Sequence, residues 1–106
     1  MNGNWQEWAT GFAKTNDLLH RPETHALDLV SEVGEVAKEL LLATDYGKRP
    51  FQPSLSRPHL TDEMGDVLYS LCVLATAVNV DLDEALAGAL AKYQKRMDSK
   101  SHAGSG

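Results

Sequence analysis

Apolar residues recur along this chain at intervals of three and four, and no stretch sustains an alternation of period two. That spacing builds amphipathic helices and gives a strand no face to bury. Composition agrees where it bears on the point. There are 15 Leu and 12 Ala against seven Val and no Ile, so strong helix formers dominate and β-branched aliphatics are scarce. The 106 residues leave room for one hydrophobic core. The expected fold class is therefore all-α. A single helical domain is expected over 1–98, with a flexible polar tail over 99–106.

The spacing predicts four helices. The first runs from Asn4 to Leu19, with Trp5, Trp8 and Phe12 on one stripe, and breaks at His20-Arg21-Pro22 because proline restricts the residue before it. The second opens at Pro22, a residue suited to a first helical turn, and runs to Thr44. Its expected apolar face is Leu27, Val30, Val33, Ala37, Leu40 and Leu41. Pro50, Pro53 and Pro58 make Gly47 to Pro58 a connecting loop. The third helix is expected from His59 to Val78. The fourth opens on Asp81-Leu82-Asp83-Glu84, a capping-box pattern, and is expected to end near Met97.

Charge and cysteine content narrow the function classes. The formal net charge is −5, which argues against a nucleic-acid groove lined with Lys and Arg. The single cysteine, Cys72, cannot form an internal disulfide and suits a reducing compartment. No signal-peptide pattern opens the chain and no apolar run reaches the length of a membrane span. A cytoplasmic protein is expected.

Two acidic pairs demand an explanation. The second helix carries Glu32-Val33-Gly34-Glu35 and the third carries Glu63-Met64-Gly65-Asp66. Acids three apart leave the same face of a helix about one turn apart and repel each other. On the third helix Glu63 and Asp66 form a narrow stripe between apolar flanks, Leu60, Met64, Leu68, Leu71 and Ala75 to one side, Tyr69 and Val73 to the other. A helix apolar nearly all round is usually buried. Carboxylates brought together there must protonate, pair with bases or bind a cation. An oxygen-only ligand set suits Mg²⁺, with Mn²⁺ as the alternative, better than zinc.

These residues resemble the metal motifs of MazG-like nucleotide pyrophosphohydrolases. The segment Leu29 to Glu39 is similar to the first motif, E-x-x-E, and Asp62 to Leu68 to the second, E-x-x-D. Twenty-seven residues separate Glu35 from Glu63, within the family's spacer range. Val80 to Leu86 resembles the start of the family's last core helix. The resemblance implies a four-helix MazG-like bundle, assembled as a dimer or a dimer of dimers, with Glu32, Glu35, Glu63 and Asp66 as Mg²⁺ ligands. It implies hydrolysis of a nucleoside triphosphate to the monophosphate and pyrophosphate, with deoxynucleotides as the expected substrates and house-cleaning as the expected role. Glu35 is assigned as proton acceptor, although residue type alone does not separate a ligand from a base among four acids. The family's Lys and Asn on the last helix are replaced by Ala89 and Tyr93, so phosphate contacts fall to Lys92, Lys95 or Arg96. Close helix approach around metals would account for Gly34 and Gly65.

Other residues carry weaker signals. Trp5 and Trp8 suit core or subunit contacts and also offer ring faces to a nucleobase. Asn16 and His20 could read base edges or close a helix. Lys48, Arg49 and Arg57 give the proline-rich loop a positive charge that could cover phosphates or face water. Two other readings remain open. In a non-enzymatic helical interaction module the acidic stripes would be surface charge. A carboxylate-bridged redox metal protein is weakened by the absence of Glu-x-x-His spacing.

Overall fold

The computed structural model describes residues 4–105, with side chains described over 4–100. The expectation of a flexible tail therefore lies largely outside the described side chains. Four helices follow one another, α1 (Trp5–Thr15), α2 (Pro22–Ala43), α3 (Pro53–Ala77) and α4 (Leu82–Ser105), with no strand among the described residues. Early α2 lies beside late α3, where His25 and Asp28 line one cavity with Ser70 and Val73, and mid-α2 beside mid-α3, where Glu32 approaches Glu63 and Asp66, so the two helices run antiparallel. α1 crosses α3, and α4 packs to no comparable extent on any of them.

Three of the helices stop in the same way. Asp17, Asp45 and Asn79 each take a positive φ just past a helix end, a conformation these short polar residues tolerate. The amide two residues beyond each cap then reaches back into the last turn: Leu18 to the Ala13 carbonyl at 2.7 Å, Tyr46 to Leu41 at 2.7 Å and Val80 to Ala75 at 2.8 Å. This is the Schellman arrangement with Asp or Asn in the usual glycine position. It ends α1 at Thr15, short of the expected Leu19. Asn16 is part of this ending, its side-chain amide donating to the Phe12 carbonyl at 2.9 Å.

The proline-rich connector is shorter than its sequence suggests. α3 begins at Pro53 and contains Pro58. Pro53 supplies a preset φ for the first helical position. Pro58 removes only the amide that would have paired with the Ser54 carbonyl, next to the exposed helix start where water can satisfy it. At the other end of the chain, α4 continues past Met97 to Ser105, since no proline follows Met97 to stop it.

The four helices do not close into a bundle within one chain. α4 leaves α3 at 102°, and the chain measures 56 × 37 × 28 Å with a radius of gyration of 17.6 Å; a compact chain of this length would have about 13 Å. The buried apolar set is correspondingly small: Ala13, Leu60, Cys72, Val73 and Ala75. Leu27 and Val30, assigned above to the core face of α2, are 72% and 71% exposed. The α2 surface against α3 is instead the one that carries the acids. The space beside Gly34 and Gly65 is open, so close packing within one chain is not what those glycines serve.

Gln6 sets the direction of α4. Its side-chain amide donates to the Val80 carbonyl at 2.8 Å and to Thr76 Oγ1 at 3.1 Å, while its carbonyl oxygen accepts the Leu82 amide at 2.8 Å. Asp81 Oδ1 accepts the next two amides, Asp83 at 2.9 Å and Glu84 at 3.2 Å. The free N–H groups at the start of α4 are thus satisfied from two elements. Gln6→Leu leaves the Val80 and Leu82 groups without these partners and is expected to cost about 1–3 kcal/mol. A thermal melt checks this; an unchanged melting temperature would show that water replaces the clamp at no cost.

Candidate metal centre between two antiparallel helices

α2 and α3 bring the acidic stripes together. Glu32, Glu63 and Asp66 each offer a carboxylate oxygen, and the three oxygens lie within 4.8 Å of one another. Glu32 and Glu63 are half-buried and Asp66 is exposed. Ligand oxygens around one octahedral Mg²⁺ at about 2.0–2.1 Å are at most about 4.2 Å apart, so a shift of under about 1 Å closes the triad on one hard cation. Three carboxylates with no ion pair to any of them among the described residues, where only Arg21–Glu23 is paired, form a fitting donor set for such an ion.

The charge state of Glu63 reflects this crowding. Its carboxyl is held above the ordinary value of 4.5, first by lost hydration and then by Glu35, Asp66, Glu32 and Glu39. Every charge in that set is negative. Glu35 is exposed and stands outside the triad, yet it is the foremost charge acting on Glu63. Because the folded-state pKa lies above the unfolded one, Glu63 favours the folded chain when protonated. That contribution is in place below the ordinary carboxylate range and is lost as pH rises through the raised value. In chelator at neutral pH, Glu63→Gln is therefore expected to melt higher than the parent and to depend less on pH between 7 and 4.5. A lower melting point for the variant would contradict the assignment.

The other expected contacts are dispersed. Trp5 and Trp8, both more than half exposed, line a cavity of about 190 Å³ with Gly65, Leu68, Tyr69 and Cys72. At 100° per residue this face lies roughly 140° around α3 from Glu63 and Asp66. Lys92, Lys95 and Arg96 line an open groove of about 500 Å³ on α4 with Ser99 and Lys100. Asn16 is engaged in the end of α1. Arg49 of the loop donates to the Ala43 carbonyl at 3.3 Å and so serves the end of α2. Cys72 is buried as expected, and lost hydration pushes its thiol pKa up.

A polar cavity not anticipated from the sequence adjoins the acids. His20, His25, Asp28, Tyr69 and Ser70 line about 160 Å³ with Leu18 and Val73. Asp28 stands one turn before Glu32 on the α2 stripe, and Ser70 one turn after Asp66 on α3. His25 is 3% exposed and its Nε2 accepts the His20 amide at 3.0 Å, which fixes that nitrogen as unprotonated. Tyr69 meets the Phe12 ring edge-on at 6.1 Å. The available signal was Asp28 on the acidic stripe; the long-range pairing of α2 with α3 supplied the rest.

Comparison with known proteins agrees with this geometry. The MazG nucleotide pyrophosphohydrolase domain matches residues 20–100. The chain is 38% identical over 72 residues to dCTP pyrophosphatase 1 of Rattus norvegicus and 37% identical over 71 residues to dCTP pyrophosphatase 1 of Mus musculus. Each alignment covers 66% of this chain and 42% of the relative. It is 32% identical over 68 residues to the uncharacterized protein YpjD of Bacillus subtilis, covering 64% of this chain and 60% of that one. The matches thus span about half the length of these relatives.

Proposed function

Because the chain belongs to the MazG nucleotide pyrophosphohydrolase family, we propose that it hydrolyses nucleoside triphosphates, deoxynucleotides foremost, to the monophosphate and pyrophosphate. The observation that carries this reading is the convergence of Glu32, Glu63 and Asp66 from the two family motifs. These residues, with Glu35 alongside, would hold Mg²⁺ or Mn²⁺. When bound, the cation supplies positive charge for the phosphates and acidifies a bound water. Without it, the acidic groove would repel a triphosphate.

Each side chain then has a task. Glu32, Glu63 and Asp66 would hold the cation. Glu35, exposed and outside the triad, accepts the proton of the attacking water. The water oxygen joins the α-phosphorus, the bond from that phosphorus to the bridging oxygen breaks, and pyrophosphate departs. The cavity of His20, His25, Asp28, Tyr69 and Ser70, at the end of the acidic groove, suits the nucleoside half of the substrate. Lys92, Lys95 and Arg96 are proposed for phosphate, and Trp5 and Trp8 for the base. Their placement on α4 and on the opposite face of α3 favours delivery from a second copy, so a homodimer or a dimer of dimers is part of the reading. A cytoplasmic role in clearing excess or non-standard nucleotides follows from the same activity. Among the described residues no single helix is long and apolar enough to cross a membrane.

The interaction-module alternative requires solvated stripes, whereas Glu32 and Glu63 are half-buried and close to Asp66. Pyrophosphate release from a panel of nucleotides, with Mg²⁺ and with chelator, tests the proposal. Release dependent on Mg²⁺ is expected. No turnover of any nucleotide, together with no effect of Mg²⁺ on the melting temperature, would overturn it.

A further inference from the structure

We infer that His25 and Asp28 read the edge of the base, and that the cavity they line selects an amino base, cytosine or adenine, over a keto base. This deepens the reading above, from which it takes the seat of the nucleoside. Two polar side chains of that cavity are more than nine-tenths buried, His25 at 3% and Ser70 at 6% exposure. The His25 ring uses Nε2 to accept the His20 amide at 3.0 Å, and a neutral imidazole that accepts at one nitrogen carries its proton on the other. His25 Nδ1–H and the Ser70 hydroxyl have no hydrogen-bond partner among the described residues, yet no side-chain nitrogen or oxygen there is both enclosed and unpaired. Both groups therefore open into the cavity they line.

The chemistry of the lining chooses the base. His25 Nδ1–H can only donate, and the backbone amide on Nε2 holds it in that state. The Asp28 carboxylate, one turn further along α2, can only accept. A donor beside an acceptor complements an unprotonated ring nitrogen beside an exocyclic amine. Cytosine and adenine both carry that edge. Uracil, thymine, guanine and hypoxanthine carry the reverse, a ring N–H beside a keto oxygen. Such an edge would set N–H against N–H at His25 and oxygen against carboxylate at Asp28, and unpaired groups in a buried site are costly. The Ser70 hydroxyl donates or accepts and so supports either ring without choosing between them. The seven residues from His25 to Glu32 rise about 10 Å along α2, which leaves the sugar between a base at His25 and phosphates at the acids. Trp5 and Trp8, proposed above for the base, concern its ring face; the edge falls to α2.

Titrating the full chain, carrying isotope-labelled histidine, with uncharged deoxynucleosides reads this apart from any turnover. In each pair that the cavity admits, deoxycytidine against deoxyuridine and deoxyadenosine against deoxyinosine, the amino member is expected to bind at least about tenfold more tightly. The His25 Nδ1–H resonance is expected to move as it binds. Asp28→Asn, whose amide offers a donor as well as an acceptor, is expected to bring the ratio close to one. A substitution that only loosened the fold would weaken both members of a pair alike and leave their ratio. Absence of binding by all four nucleosides, equal or reversed affinity within a pair that binds, an unmoved His25 resonance, or an unchanged ratio in folded Asp28→Asn would each overturn the proposal. A chain that shows this order but releases no pyrophosphate would overturn the activity alone, and one that releases pyrophosphate without the order would overturn the edge reading alone.

Discussion

Asp66→Asn is expected to lower pyrophosphate release by at least about a hundredfold. Even partners one shell removed from a metal ligand typically matter 10–100-fold, and Asp66 belongs to the triad itself. The substitution keeps size and shape and replaces one charged oxygen donor of the triad by a neutral amide. It also removes one of the negative charges that hold the Glu63 carboxyl above its ordinary range. The variant should therefore fold at least as well as the parent in chelator, yet lose the rise in melting temperature expected of the parent on adding Mg²⁺. Two readouts thus move in opposite directions, which a merely destabilising substitution cannot reproduce. Near-parental turnover in Asp66→Asn would place the reaction elsewhere.

Leu60→Ala has the largest expected effect on stability. Leu60 is the largest of the buried apolar side chains and sits one turn before Glu63 on α3. Burying so few apolar groups leaves little reserve. Removing a buried leucine costs about 2–5 kcal/mol, the larger values where the gap cannot collapse. For a domain of this size each 1 kcal/mol lowers the melting temperature by roughly 4–8 °C, so a fall of at least about 10 °C is expected in a calorimetric scan. A shift of only a degree or two would mean that assembly, rather than this internal cluster, carries the stability.

How far the sequence spoke depended on whether the relevant physics was local. The helix count, the Pro22 start of α2 and the Asp81 cap follow from spacing and from single-residue chemistry, and all are present. The meeting of Glu32 with Glu63 and Asp66 was legible because each motif lies on one helix face. The start of α3 was not, since Pro58 reads as a breaker unless its position in an exposed helix start is known. Nor was the separation of α4: the 102° departure is set by Gln6 reaching Val80 and Leu82 across more than seventy residues of sequence. The true faces of α2 were masked for a related reason. Leu27 and Val30 are spaced like a core stripe but point away from α3, and spacing does not say whether the neighbour is this chain or another.

The Gln6 clamp ties the protection of one helix to the docking of another. The Leu82 amide begins α4, yet its acceptor is on α1. Amides open to exchange only as fast as the unit holding them opens. The Leu82 N–H should therefore exchange with deuterium together with the amides of α1, on the timescale of α1 leaving α3. The Asp83 and Glu84 amides, held by Asp81 within α4's own first turn, should follow local fraying. Two neighbouring residues would then report two different cooperative units, and the boundary between them would fall inside the first turn of a single helix.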